Sequence, residues 1–204
     1  DLPFTIGETF IFSTWLTTVT LVVVGALMFT SEVQHGTLST AVSTQPARWV
    51  IVAAKAAIGF GFGIVMGILG MVGGLGGAIV GGLDAGNTSG MLTSAMWGLV
   101  LTALAPILGL GIGMIVRHGA AAATGALIWA LLIENLIKSF APANFSRFLP
   151  FSAANGLLGI RSAGDTTKTL AAALTRTQDA FLFGGYAVIA LAIGTVLLYR
   201  RDAE

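Results

Sequence analysis

Ser31-Glu32-Val33-Gln34-His35-Gly36-Thr37 separates two strongly apolar stretches, and Leu38 to Gln45, Pro46-Ala47-Arg48 and, after a short gap, Lys55 follow it. The segment gathers carboxylate, amide, imidazole and cationic side chains with a glycine and a proline, while its flanks are almost wholly apolar. Hydrocarbon offers no water to such groups, so the segment must lie outside it. Two helices therefore cross a membrane here and this insert, residues 31–48, joins them on one side. An insert at a membrane surface is also where another molecule can touch the chain.

Composition agrees. The chain has 204 residues, 55% of them hydrophobic and 9% charged, with a mean hydropathy of +0.91; soluble domains carry about 25% charged residues. The sequence is that of an all-α integral membrane protein, one transmembrane domain over 1–204. A net charge of +1 gives no pull toward nucleic acid, and none is expected as a partner; membrane lipid is. The absence of cysteine excludes disulfides and thiolate metal sites. The start at Asp1 has no basic region ahead of an apolar one, so no signal peptide is expected.

Spans are expected at about 9–29, 49–82, 91–116, 120–140 and 181–199, each near the roughly 20 apolar residues that a bilayer requires. In the first, Thr14 and Thr17 belong to a run of hydroxyls that either bond within and between helices or form the polar wall of a substrate path. Ser31 with Gln34 has the form of a capping box, which predicts a short helix starting at Ser31 and broken at Gly36. A second short helix is expected from Thr37 to Ser43, with Leu38, Ala41 and Val42 on one face. Pro46 ends it, since the residue before a proline avoids the helical region. Trp49 sits as an interfacial aromatic, and Arg48 and Lys55 can snorkel to the same surface.

The second span carries glycines at 59, 63 and 67, then 73, 77 and 81, the small-residue spacing that lets helices approach closely. The stretch holds no Gly-Lys pair, so there is no phosphate-cradling loop of the P-loop type. Pro106 is expected to kink the third span, and Arg117-His118-Gly119 to turn the chain. Residues 141–180 form a long outer segment, in which Phe148 to Ile160 is apolar but too short to cross; a re-entrant or surface-lying piece is expected there. Five spans with the basic Arg200-Arg201 end inside leave the first end outside, so a sixth span before Asp1 is expected.

Glu32 and His35 share a helical face, but zinc needs three or four ligands and His118 lies in another loop, so no metal site is expected. No nucleophile turn or acid–base pair stands out, and the chain is not expected to be an enzyme. Glu134, Asn135 and Lys138 form the one strongly polar cluster inside a span. Intramembrane ionisable groups are functional candidates. Glu134 lies about 17 residues beyond Arg117, roughly 25 Å along a helix, near the outer interface. It reads either as an interfacial ion pair with Lys138 at i+4 or, with Asn135, as part of a substrate path or gate.

Glu32, the pair Gly36-Thr37, Pro46 with Arg48, and Ala54-Lys55 resemble the first cytoplasmic loop of bacterial ATP-binding-cassette type-two exporter permeases. The order of spans, insert, turns and outer segment is similar too, and Ile115-Val116-Arg117-His118 resembles an actinobacterial branch. Where that family often has an aromatic and a basic residue after the glutamate, this chain has Val33 and Gln34. The resemblance implies a permease subunit of the bacterial inner (cell) membrane, whose insert is a coupling helix seated on a separate cytosolic ATPase. Ser31, Glu32, His35, Gly36, Thr37, Leu38, Pro46 and Arg48 would carry that coupling. It also implies two ATPase copies, a second permease copy or paralogue, and ATP and Mg bound by the ATPase, with no cofactor on this chain. The alternative is a stand-alone secondary transporter or channel, which would want inverted repeats and midplane ionisable groups; no repeat is visible in the sequence. An adjacent gene for a P-loop ATPase would separate the two.

Overall fold

A computed structural model describes residues 5–36, 48–84, 86, 88–160 and 174–201. Among these, all regular structure is helical: α1 Ile6–Gln34, α2 Arg48–Val80, α3 Met91–Val116, α4 Gly119–Phe140 with a π turn over Trp129–Ile133, the single turn α5 Ala143–Ser146, α6 Pro150–Leu158 and α7 Arg176–Arg201. Five of them, α1 to α4 and α7, are long and apolar enough to cross a membrane, which marks the chain as a multi-pass membrane protein. The 33 residues of α2 extend about 50 Å at 1.5 Å per residue, well beyond a ~30 Å hydrocarbon core.

Three expectations at helix ends are corrected. Ser31 does not start a helix. It lies in the last turn of α1, where its carbonyl accepts the His35 N–H at 3.0 Å. Nothing from Ala26 to Thr30 interrupts helix, so extending α1 by one more turn is easier than nucleating anew. Gly36, at φ +70°, is where the helix stops. The expected coupling helix, with Thr37, Leu38 and Pro46, lies outside the described residues, as do Arg161, Asp165 and Lys168. The last span begins at Arg176 rather than near 181, because Thr175 and Gln178 form a reciprocal cap: Thr175 N–H donates to Gln178 Oε1 at 3.0 Å and Gln178 N–H to Thr175 Oγ1 at 3.4 Å. Thr5 and Glu8 do the same for α1, moving its start from about 9 to Ile6.

α3 is the centre. Of its apolar window 61% is buried, against 22% for α2, α4 and α7, whose large side chains such as Ile58, Val72, Leu132 and Val188 are exposed. The contacts are close because glycines sit in them. A Cβ on Gly109 would collide with the Val22 carbonyl, one on Gly113 with that of Ala26, and one on Gly25 with that of Pro106, so α1 and α3 meet backbone to backbone. On the α2 side, Gly63 packs against the Thr102 carbonyl, which Pro106 cannot bond four residues on, and Gly67 against the Thr102 side chain. Gly70 and Gly74 receive Thr17 and Ser13 of α1. The first run of regularly spaced glycines is therefore spent inside the chain. Of the second, Gly73 and Gly77 face open space and Gly81 meets only its own helix.

α6 is too short to cross and yet is deeply buried. Ala153, Ala154, Leu157 and Leu158 are inaccessible, in one cluster with Leu101 of α3 and Phe183 of α7. It sits at the end where Ile6 N–H bonds Asp84 O at 3.0 Å. At the opposite end the Arg117–His118 turn joins α3 to α4, as read from the sequence, with Arg117 left-handed at φ 60° and the His118 ring accepting the Ala121 N–H at 3.3 Å.

Gly109→Val should cost about 3 kcal/mol, the upper part of the range for overpacking, because the atom it meets is backbone. Gly77→Ala should be neutral or stabilising by up to ~1 kcal/mol, the gain of alanine over glycine in a helix. Thermal unfolding of the detergent-solubilised protein separates the two.

Candidate functional site

Glu134 is 1% exposed, and its surroundings explain how a carboxylate comes to lie inside a bundle. The π turn over Trp129–Ile133 ends with the Glu134 N–H bonded to the Trp129 carbonyl. Such turns insert one residue into a helix and often mark functional positions. The Glu134 side chain is thereby directed inward. Its Oε1 accepts the Phe151 N–H at 2.8 Å and the Trp129 Nε1–H at 3.1 Å, and its Oε2 accepts the Ser152 hydroxyl at 3.4 Å. Phe151 and Ser152 are in the first turn of α6, behind Pro150, and the cap position Leu149 offers no side-chain acceptor. A helix start leaves amides without partners, and here a carboxylate from another span supplies the acceptor. Lys138, at i+4, adds its positive charge to this carboxylate. Tyr186 of α7 donates to the Phe148 carbonyl at 2.9 Å, so the approach to α6 is held from a second side.

The other residues singled out from the sequence fall elsewhere. Asn135 is exposed and donates to its own helix at Leu131 O, 2.8 Å. Thr14 and Thr17 bond back to Phe10 O and Ser13 O, both at 2.8 Å; Thr14 is fully buried against Gly98, and Thr17 fills the notch at Gly70. These hydroxyls are satisfied inside α1 while their methyl groups pack.

At the Arg117 end, Glu32 forms an ion pair with Lys55. The two side chains are 34% and 14% exposed, so the pair is shielded enough to hold α1 to α2. Lys55, expected from the sequence to snorkel to the membrane surface, thus has a partner within the chain. His35 Nδ1 lies 2.6 Å from Ser31 O. Arg48 begins α2, and its neighbour Trp49 donates its N–H to the Tyr199 hydroxyl at 3.2 Å. The ends of α1, α2 and α7 are thereby joined to one another.

A cavity of about 520 Å³ opens at the Asp84 end, with Glu8, Ser94 and Arg176 in its walls. Sequence reading passed over all three, although Glu8 and Arg176 both lie in capping boxes (Thr5-Ile6-Gly7-Glu8 and Thr175-Arg176-Thr177-Gln178) that mark them as first-turn residues. No protein-family model, curated protein or solved structure matches this chain.

Glu134→Leu should leave the Phe151 N–H without an acceptor, at a cost of about 1–3 kcal/mol, whereas Glu134→Gln keeps an oxygen there and should lose less. Hydrogen exchange at residues 151–154 is the direct readout, faster in the leucine variant and near wild type in the glutamine one.

Proposed function

We propose that this chain is the permease subunit of an ATP-driven exporter in a bacterial cell membrane, moved by a separate cytosolic ATPase that docks on residues 31–48. The observation that supports it best is the Glu32–Lys55 ion pair. It joins the last turn of α1 to the second turn of α2, directly at the base of the insert. A push on the insert is then passed to two spans together instead of bending one of them. Gly36, at φ +70°, ends α1 where the insert begins, a backbone conformation that glycine adopts without strain.

The resemblance sets the orientation, with the insert end inside. Arg48, Lys55, Arg117, Arg200 and Arg201 belong to that end, while the other five Lys and Arg fall in the sequence between 138 and 176, so the charge rule adds little to it. α6 then enters from the outer side and returns without crossing, its buried start capped by Glu134. Without a phosphate-binding loop in the sequence, the motor is another chain, which binds ATP and Mg. Two permeases and two ATPases make the full assembly, with the substrate path between the permeases.

Affinity purification of the tagged chain from its native membrane should bring down a P-loop ATPase whose hydrolysis depends on the complex. Glu32→Ala and Gly36→Pro should still insert in the membrane but lower that hydrolysis and any coupled transport about tenfold. The charge exchange Glu32→Lys with Lys55→Glu should recover part of the loss. Wild-type coupling in both single variants would refute the role assigned to the insert.

A further inference from the structure

The cavity at the Asp84 end is built from the starts of α1, α3 and α7 and the end of α6. Its volume, about 520 Å³, lies within the roughly 300–1,000 Å³ of small-molecule sites. Arg176 lies in its wall and is held there from behind. Its Nη2 donates to Ser94 Oγ at 3.4 Å, and that hydroxyl in turn donates to Leu158 O at 3.3 Å. Gly159, left-handed at φ +73°, makes room for the same nitrogen, which a Cβ would meet at 2.8 Å. The other nitrogen, Nη1, is buried and has no acceptor among the described residues. Asp179, one turn on, packs against Gly156. A guanidinium fixed in position with a buried donor left over invites an anion. α3 begins in the same wall at Gly90–Met91 without a side-chain cap; the Met91 N–H is taken by the Thr88 carbonyl at 3.1 Å, and the positive end of the helix dipole still favours an anion there.

Glu8, in the same lining, has the opposite charge. Glu8 takes both of its Thr5 hydrogen bonds on Oε2, which leaves Oε1 for another donor. A simple anion would be attracted by Arg176 and repelled by Glu8. A molecule that carries both a phosphate and a primary ammonium satisfies both. Ile11, Met91 and Leu158 line the remainder and suit an attached carbon chain.

We propose that this cavity binds a phosphoethanolamine group, its phosphate on Arg176, Ser94 and the start of α3, and its ammonium on Glu8. The group can belong to a membrane lipid or to a soluble glycerophosphoester. The site stands independently of the exporter reading, since nothing in it involves the insert.

Native mass spectrometry of the full chain in detergent, titrated with dioleoylphosphatidylethanolamine, dioleoylphosphatidylglycerol or glycerophosphoethanolamine, tests it. One ethanolamine lipid should bind saturably, and Arg176→Gln should weaken it at least tenfold. Glu8→Gln, which can still cap Thr5, should weaken the ethanolamine lipid about fivefold and leave the glycerol lipid unchanged or tighter. Unaltered thermal unfolding confirms that both variants fold. Displacement of the lipid by glycerophosphoethanolamine supports the site with a headgroup alone as the sufficient ligand; lipid binding without such displacement supports it with a membrane lipid as the source. Absence of saturable ethanolamine-lipid binding, wild-type affinity in Arg176→Gln, or equal weakening of both lipids by Glu8→Gln would overturn the proposal.

Discussion

The backbone-to-backbone contact of α1 with α3, at Gly25, Gly109 and Gly113, is the constraint from which the rest of the architecture follows. Lipid tails are as apolar as leucine, so helices in a bilayer gain little from hiding apolar side chains from one another; close van der Waals fit and internal hydrogen bonds hold them together. Glycine provides that fit by removing the side chain. Once α1 lies in contact with the α3 backbone, α2 is placed by Gly63 and Gly67 around Thr102, and α7 by Gly111 against Ala190 and Gly194 against Met114. The larger apolar residues are left on the outside of α2, α4 and α7, where a bilayer accepts them.

The polar groups divide between the two ends, and each end solves a different problem. At the Asp84 end a short helix has its first amides buried, and a lipid-immersed backbone donor without an acceptor is costly. Glu134 supplies the acceptor, and the π turn before it supplies the aim. That arrangement lets the start of α6 be buried among the long helices, and the α6 terminus at Leu158 and Gly159 lies beside Arg176. At the Arg117 end the task is to bind neighbouring helix ends to each other. Glu32 with Lys55, Trp49 with Tyr199, and Gly119 against Thr30 and Gln34 all do so. The ends thus differ in kind: one holds a cavity of mixed charge, the other a set of braced helix ends.

The presence of five long apolar helices was legible because hydrophobic length is a local property. Their ends were less so, as the earlier starts of α1 and α7 show. Helix caps were legible only in part. The pattern of a hydroxyl residue with Glu or Gln three positions on occurs at Thr5, Ser31 and Thr175; it caps a helix at the first and third and lies within one at Ser31. What distinguishes them is the preceding chain, which at Ser31 is uninterrupted helix. Glu134 was marked by its rarity within a span, but its partners at Phe151 and Ser152 could not be read, because they reach it through a π turn and a change of direction that no periodicity reports. The glycines of α2 were noticed for their regular spacing, while Gly25, Gly109 and Gly113, which make the closest contacts, are spread over two helices. Arg176 and Glu8 looked like ordinary helix-start charges until folding placed them in the walls of one cavity.

The exporter reading depends on which end faces the cytosol. The chain has no cysteine, so single cysteines at the exposed positions Thr88 and His118 report the answer without background. With a membrane-impermeant maleimide, the account predicts labelling of Thr88→Cys in intact cells and of His118→Cys only after permeabilisation. Labelling of His118→Cys in intact cells with Thr88→Cys protected would contradict it, since the braced helix ends and the insert would then face away from any cytosolic ATPase.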